Sequence, residues 1–362
     1  MKKKFLGLVL GLALVVSLSS CGLIDGLIIR STTTTTTPQT TNTNTNVPTN
    51  TSKEAASAST IPSNNPNGYK ITYINNNGTI YTSTSNKENK IIEPADPVKQ
   101  YATFLYWCSD EECNNKYDFK TVVNKETTIY AKYDIDYKAL TNAISSTSIK
   151  SNVQVNHQYT SSSFGGNSGM STGSGVIFAK TNSYYYILTN HHVIYPESGY
   201  NFNYSTFKVE DCYGQDYTAN WVYRDVNYDL AILRVNKLSS TKQPSVIEFS
   251  DAYYMNEEIV ALGEPKGQTN TITYGEIQKM YQFQADKETA SQSNINFDVI
   301  VHSAKIDNGS SGGALLDTNL KLIGINFASA EKNGEYKYSY AIPLNKVNEF
   351  ISNAEAALRI TF

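Results

Sequence analysis

The hydrophobic pattern divides the chain into stretches of different kinds. Phe5 to Val16 is a nearly unbroken apolar run behind Lys2, Lys3 and Lys4. It falls well short of the ~20 residues a membrane-crossing helix needs, and it reads as the core of a secretory signal peptide. From Ser31 to Asn67 the chain is Thr, Asn, Ser and Pro with scarcely an apolar side chain. Such a stretch cannot bury enough surface to offset its ordering entropy, so a disordered linker is expected. A flexible chain of about forty-five residues, counted from Cys21, reaches a root-mean-square distance of roughly 35–40 Å. Alternation resumes at Lys70–Ile74, and Asn75-Asn76-Asn77-Gly78 is a turn signal leading to a second strand at Thr79–Thr82. Asp134–Ser148 has helical spacing, with Leu140 and Ile144 on one face.

Beyond Ser148 the chain is strand-rich and punctuated by glycine. Predicted strands are Gly175–Ala179, Tyr184–Leu188, Phe207–Glu210, Ala231–Val235, Ile259–Leu262 and Thr271–Gln278. Val299–His302, Ala314–Leu316, Leu322–Phe327 and Tyr338–Ile342 continue the series. Short strands at fairly regular spacing point to a sandwich or a barrel. Only the last segment is strongly helical: Val347, Phe350, Ile351, Ala354 and Leu358 form an apolar stripe.

Composition narrows the classes. At 362 residues there is room for two domains beyond a leader and linker. The net charge of -3, with no basic stripe, argues against nucleic acid as a partner. Of the 4 cysteines, Cys21 follows the apolar run near the N-terminus, Cys108 and Cys113 could close a small loop in an oxidising exterior, and Cys212 would be left unpaired. No second ligand pair accompanies them, so no zinc site is expected.

Three segments carry candidate chemistry. Ile187-Leu188-Thr189-Asn190-His191-His192-Val193-Ile194 is an apolar strand running into a His pair. Tyr228-Asp229-Leu230-Ala231-Ile232-Leu233-Arg234-Val235 opens an apolar strand with an Asp. Asp307-Asn308-Gly309-Ser310-Ser311-Gly312-Gly313-Ala314-Leu315 surrounds a Ser with glycines. Each alone has a bland reading: a solvated cap, a surface His, a flexible turn. Together they supply what acyl transfer needs, a hydroxyl, a base near neutral pKa and a carboxylate to orient it. Glycines let the backbone turn tightly and aim N–H groups at a developing oxyanion. The order His, Asp, Ser matches chymotrypsin-type enzymes rather than subtilisins or α/β-hydrolases.

These motifs make residues 153–362 resemble a trypsin-type protease domain of the HtrA-like group, which carries Thr-Asn-x-His-Val, Asp-Leu-Ala and Gly-x-Ser-Gly-Gly. The resemblance aligns His192, not His191, as base, Asp229 as its orienter and Ser311 as nucleophile, with the N–H groups of Gly309 and Ser311 as oxyanion hole. Gly173-Ser174-Gly175 and Tyr274-Gly275-Glu276-Ile277 also fit the group. It implies a mainly β fold of two six-stranded antiparallel barrels with a C-terminal helix, acting on protein or peptide substrates without a metal or other cofactor. Lys305, Ile306, Ile325 and Phe327 align near the primary substrate pocket, with a small or apolar preference expected because a long cation tends to snorkel outward. His302 is assigned a structural role, and His157 none.

Departures accompany the match. Ser310 stands where relatives commonly have Asn, and since it is not Asp, activation by pairing with a freed N-terminus is not expected. About fifty residues lie beyond Ser311, too few for a PDZ domain, so PDZ-based substrate capture is not expected either.

Two further resemblances concern the N-terminal part. Leu18-Ser19-Ser20-Cys21 is similar to the lipobox of bacterial lipoproteins, implying a signal peptide over 1–20 and a diacylglyceryl group on Cys21. Two acyl chains on one residue anchor stably. The expected location is therefore the extracellular face of a cell membrane, with 21–66 as the linker. Residues 67–134 resemble the internalin B-type repeat, a small β-grasp-like module, with Tyr106 where Gly is usual and Tyr133 where Trp is usual. That module is expected to be a spacer or to bind a surface partner, with 135–152 a connector helix. The competing expectation is a catalytically silent adhesion lipoprotein.

Overall fold

The computed structural model describes residues 23–25, 65, 67–75, 78–160, 168–195, 205–264, 270–285, 291–332 and 334–362. The expected signal peptide and Cys21 lie outside the described residues, as does nearly all of the Thr/Asn-rich stretch. The first strand, β1, is Leu23–Asp25. Next come β2 (Lys70–Asn75), β3 (Gly78–Thr84), β4 (Ala102–Cys108) and β5 (Thr127–Ile135), forming one sheet in the order β3-β2-β5-β4. Alternation drives it: Ile71 and Tyr73 of β2 and Ile129, Ala131 and Tyr133 of β5 turn inward around the buried Trp107. Cys108 and Cys113 are joined in a disulfide that closes the turn after β4, and Cys212 is free.

Helix α1 (Tyr137–Ser146) starts where the Asp136 side chain accepts the Ala139 N–H, a normal N-cap. Leu140 and Ile144 are its buried residues, as their one-turn spacing predicts. The helix touches the second barrel through Thr141 Oγ1 and the Tyr274 hydroxyl, 2.6 Å apart. Tyr137 donates to the Glu258 carboxylate at 3.2 Å.

The remainder is two closed barrels. The first joins β6 (Asn152–Thr160), β7 (Ser168–Lys180), β8 (Tyr184–Thr189), β9 (Thr206–Asp211), β10 (Asp216–Asp225) and β11 (Leu230–Asn236) in the ring β10-β11-β8-β7-β6-β9. Between β8 and β9 lies the single-turn helix α2 (His191–Ile194). The second comprises β12 (Glu258–Gly263), β13 (Thr271–Gln282), β14 (Asp298–His302), β15 (Ala314–Asp317), β16 (Leu322–Lys332) and β17 (Glu335–Pro343), closed by pairing of β16 with β17. Strand β1 lies in parallel beside Ser329–Glu331 of β16. Helix α3 (Leu344–Leu358) buries Leu344, Val347, Phe350 and Ala354, while Ile351 and Leu358 of the stripe read from sequence are half-buried. No helix among the described residues is long and apolar enough to cross a membrane.

Two of the barrel strands escaped the sequence pattern. In β6 the inward positions are Val153, Val155, His157 and Tyr159, so a buried histidine breaks an otherwise legible alternation. In β10 the pairing slips between Trp221 and Tyr223, and that bulge shifts the two-residue period mid-strand.

Candidate active site

The site begins with a register. Antiparallel pairing sets Ala231 of β11 opposite Thr189 of β8, so the end of one strand and the start of the other are neighbours. His192, just beyond β8, and Asp229, just before β11, therefore meet. His192 Nδ1 is 2.8 Å from Asp229 Oδ2, and the His192 backbone N–H donates to Oδ1 at 3.0 Å. Asp229 is held in turn, because its main-chain carbonyl accepts from Asn190 Nδ2 at 2.9 Å and from the His191 N–H at 3.1 Å. Its φ of 51° is a left-handed conformation that Asp tolerates better than most residues. A carboxylate only accepts, so Nδ1 carries the imidazole proton and Nε2 presents a lone pair. Nε2 is buried and has no hydrogen-bond partner among the described residues.

His191 behaves differently. Its Nδ1 lies 2.7 Å from the Gln292 carbonyl, and an Arg224 guanidinium N–H approaches Nε2 at 3.3 Å. Its ring stacks on Tyr195, and burial lowers its pKa from the ordinary histidine value. Both ring nitrogens are used, which leaves this imidazole a neutral strut.

Ser311 arrives from the other barrel, on the turn between β14 and β15. Its carbonyl accepts from the Ser174 N–H of β7 at 2.7 Å, tying that turn to the first barrel. Its hydroxyl donates to the Phe327 carbonyl at 3.1 Å. It makes no hydrogen bond to His192 Nε2, and hydrogen bonds of this kind are often long or poorly aligned before a substrate binds. The next residue, Gly312, has φ of 86°, and a Cβ there would fall 2.2 Å from the Ser174 carbonyl oxygen. Among the described residues the N–H groups of Gly309 and Ser311 have no acceptor. Ser311 and Asp229 are fully buried and His192 is 1% exposed. A dry site of this kind strengthens every electrostatic interaction within it.

Residues 173–325 match the trypsin-like peptidase domain. Residues 69–132 match the Listeria-Bacteroides repeat domain. The chain is similar to the serine protease Do-like HtrA of Bacillus subtilis, 34% identical over 178 residues, which are 49% of this chain and 37% of that protein. It is also 34% identical over 221 residues to the Do-like HtrA of Lactococcus lactis, 56% of this chain and 51% of that one. The periplasmic serine endoprotease DegP of Escherichia coli is 32% identical over 195 residues, 52% of this chain and 38% of that protein. The chain thus spans about half or less of the length of these relatives. A protease of M. tuberculosis solved in its active form is 20% identical, covers 59% of this chain and 85% of that one, and superposes with a TM-score of 0.46.

The four expected pocket residues part company. Lys305 is exposed and uses its carbonyl to accept from Thr273. Ile306 packs into the second barrel's interior with Ile259, Ile300 and Leu315. Ile325 is buried in the large core cluster. Phe327 alone stands beside Ser311, through its carbonyl, and its ring meets Phe283 edge-on at 5.2 Å. His302 is buried against Asn326 Oδ1 at 3.1 Å, and burial pushes its pKa down to about 3. Sequence reasoning gives no individual role to Ser174 or Asn190, although both sit inside the motifs that carry the resemblance.

Proposed function

We propose that the chain is an extracytoplasmic serine endopeptidase that uses His192, Asp229 and Ser311. The observation that carries this reading is the His192–Asp229 contact at 2.8 Å, with the remaining imidazole nitrogen unpaired and a glycine-flanked serine brought in from the second barrel. Ser311 attacks a peptide carbonyl while His192 Nε2 takes its proton. The imidazolium is stabilised by Asp229, and the proton passes to the leaving amine. Water then repeats the sequence on the acyl-enzyme. The N–H groups of Gly309 and Ser311 receive the oxyanion. The sequence resemblance and the extracytoplasmic relatives support placement outside the cytoplasm, anchored through lipid on Cys21, with the repeat domain as spacer or docking module.

A fluorophosphonate probe tests the reading directly. The purified soluble part, from about Asn67 onward, should be labelled at Ser311, as mapped by mass spectrometry, and the label should vanish in His192→Ala. A second reading, a silent surface-binding lipoprotein, draws on the Ser311 hydroxyl pointing to Phe327 rather than to His192. Absence of labelling in well-folded protein would favour it. For the anchor, metabolic labelling with a fatty-acid analogue should be lost in Cys21→Ala.

A further inference from the structure

Ser174 sits in the middle of β7, has no exposed surface, and belongs to none of the proposed catalytic groups. It makes four hydrogen bonds. Its N–H donates to the Ser311 carbonyl at 2.7 Å, and its carbonyl accepts from Thr189 Oγ1 at 2.7 Å. Its hydroxyl donates to the Gly309 carbonyl at 2.7 Å and accepts the Glu264 N–H at 2.8 Å. One side chain thereby joins the first barrel, Glu264 at the end of β12 and the turn that carries Ser311. Glu264 is itself held, since its carboxylate accepts from Asn152 Nδ2 at 2.5 Å and from the Asn270 N–H at 3.0 Å.

The direction of the hydroxyl bond is not free. A serine hydroxyl has one proton, and the amide of Glu264 can only donate. The proton is thus committed to the Gly309 carbonyl. The backbone packs closely around Ser174 where two glycines leave room. A Cβ at Gly173 would lie 3.0 Å from the Ser311 carbonyl oxygen, and one at Gly263 would lie 3.2 Å from Ser174 Oγ. Gly309 itself has φ of 97°, a conformation that could relax if its carbonyl were released.

We infer that Ser174 is a positioning residue for the oxyanion hole, holding the Gly309 and Ser311 carbonyls so that the N–H groups of these two residues converge. This rests on the peptidase reading. Donors aimed in advance at developing charge act on the transition state, not on the bound substrate. The strut therefore affects kcat and leaves KM nearly alone.

The test uses the full chain, wild type and Ser174→Ala, on a fluorogenic peptide with rates normalised by active-site titration. Loss of one oxyanion donor costs about 100- to 1000-fold in kcat, so a displaced pair should cost about 10- to 100-fold. KM should stay within about twofold and the pH profile should be unchanged, since the inference leaves His192 untouched. Fluorophosphonate labelling of Ser311 should slow by a similar factor. A melting temperature that falls while kcat per titrated site holds would reduce Ser174 to a structural tie and overturn the inference. Wild type that fails to label overturns the peptidase reading itself. Wild type that labels beside an equally fast Ser174→Ala variant overturns the inference alone. Should the alanine variant not fold, Ser174→Cys keeps the shape with a weak donor, and full kcat in that variant is equally fatal.

Discussion

Asp229 grips His192 twice, at the imidazole Nδ1 through Oδ2 at 2.8 Å and at the backbone N–H through Oδ1 at 3.0 Å. The same carboxylate thus sets the tautomer of the ring and the position of the residue that bears it. Its own main chain is fixed by Asn190 and His191, so the pair is held from both sides.

Asp229→Asn separates the two roles. Asn tolerates the left-handed φ of 51° at this position, so folding should survive. Its amide cannot enforce the productive tautomer, and kcat should fall by about 10⁴-fold. Steady-state kinetics on an unfolded protein substrate, with a melting curve as control, checks both halves.

Gly312→Ala should disable the nucleophile turn. The new Cβ would meet the Ser174 carbonyl at 2.2 Å and Thr189 Oγ1 at 2.4 Å, on a backbone with φ of 86°. The combined strain and overpacking should cost on the order of 3 kcal/mol and abolish labelling of Ser311. Gly334→Ala is the control: φ is 75° there, with nothing within 4 Å of the added atom. It should cost only about 1 kcal/mol and spare labelling.

The Cys108–Cys113 disulfide closes a loop with a sequence separation of 5. Loop-closure entropy for so short a ring predicts a contribution of about 2 kcal/mol. Replacing both cysteines by Ser should lower the unfolding midpoint of the repeat domain. Fluorescence of Trp107, buried in that domain, reports it, with Trp221→Phe removing the competing signal from the exposed Trp221.

Glu257 gives a pH-dependent stability. Burial, reinforced by Asp317, raises its carboxyl from 4.5 to about 8, while the buried Lys99 pulls the other way. The folded state therefore binds this proton more tightly than the unfolded chain does. The stabilisation is complete below about pH 4.5 and is lost as pH rises through about 8. Glu257→Gln should match wild type at pH 5 and exceed it at pH 8, by on the order of 2–4 kcal/mol. Parallel thermal melts at the two pH values decide the matter, and equal differences at both would sink it.

Most of the strands were legible because burial on one face imposes a period of two, and α1 and α3 because an apolar stripe imposes one near 3.6. The motifs were legible for a chemical reason: few residue types can serve as base, orienter and nucleophile, and glycine must sit where the backbone crowds. The sequence alone therefore determined a mainly β chain and the three segments that hold the proposed triad. The features it left open depended on neighbours distant along the chain. Only the β8–β11 register brings Asp229 to His192 while Gln292 and Arg224 occupy both nitrogens of His191. Only the barrel interior decides that Ile306 packs inward while Lys305 faces water. The disulfide and the Ser174 hydroxyl obey the same logic. Periodicity reports which face of an element is buried, but a hydrogen bond requires two particular atoms within about 3 Å, and that is decided when the chain closes on itself.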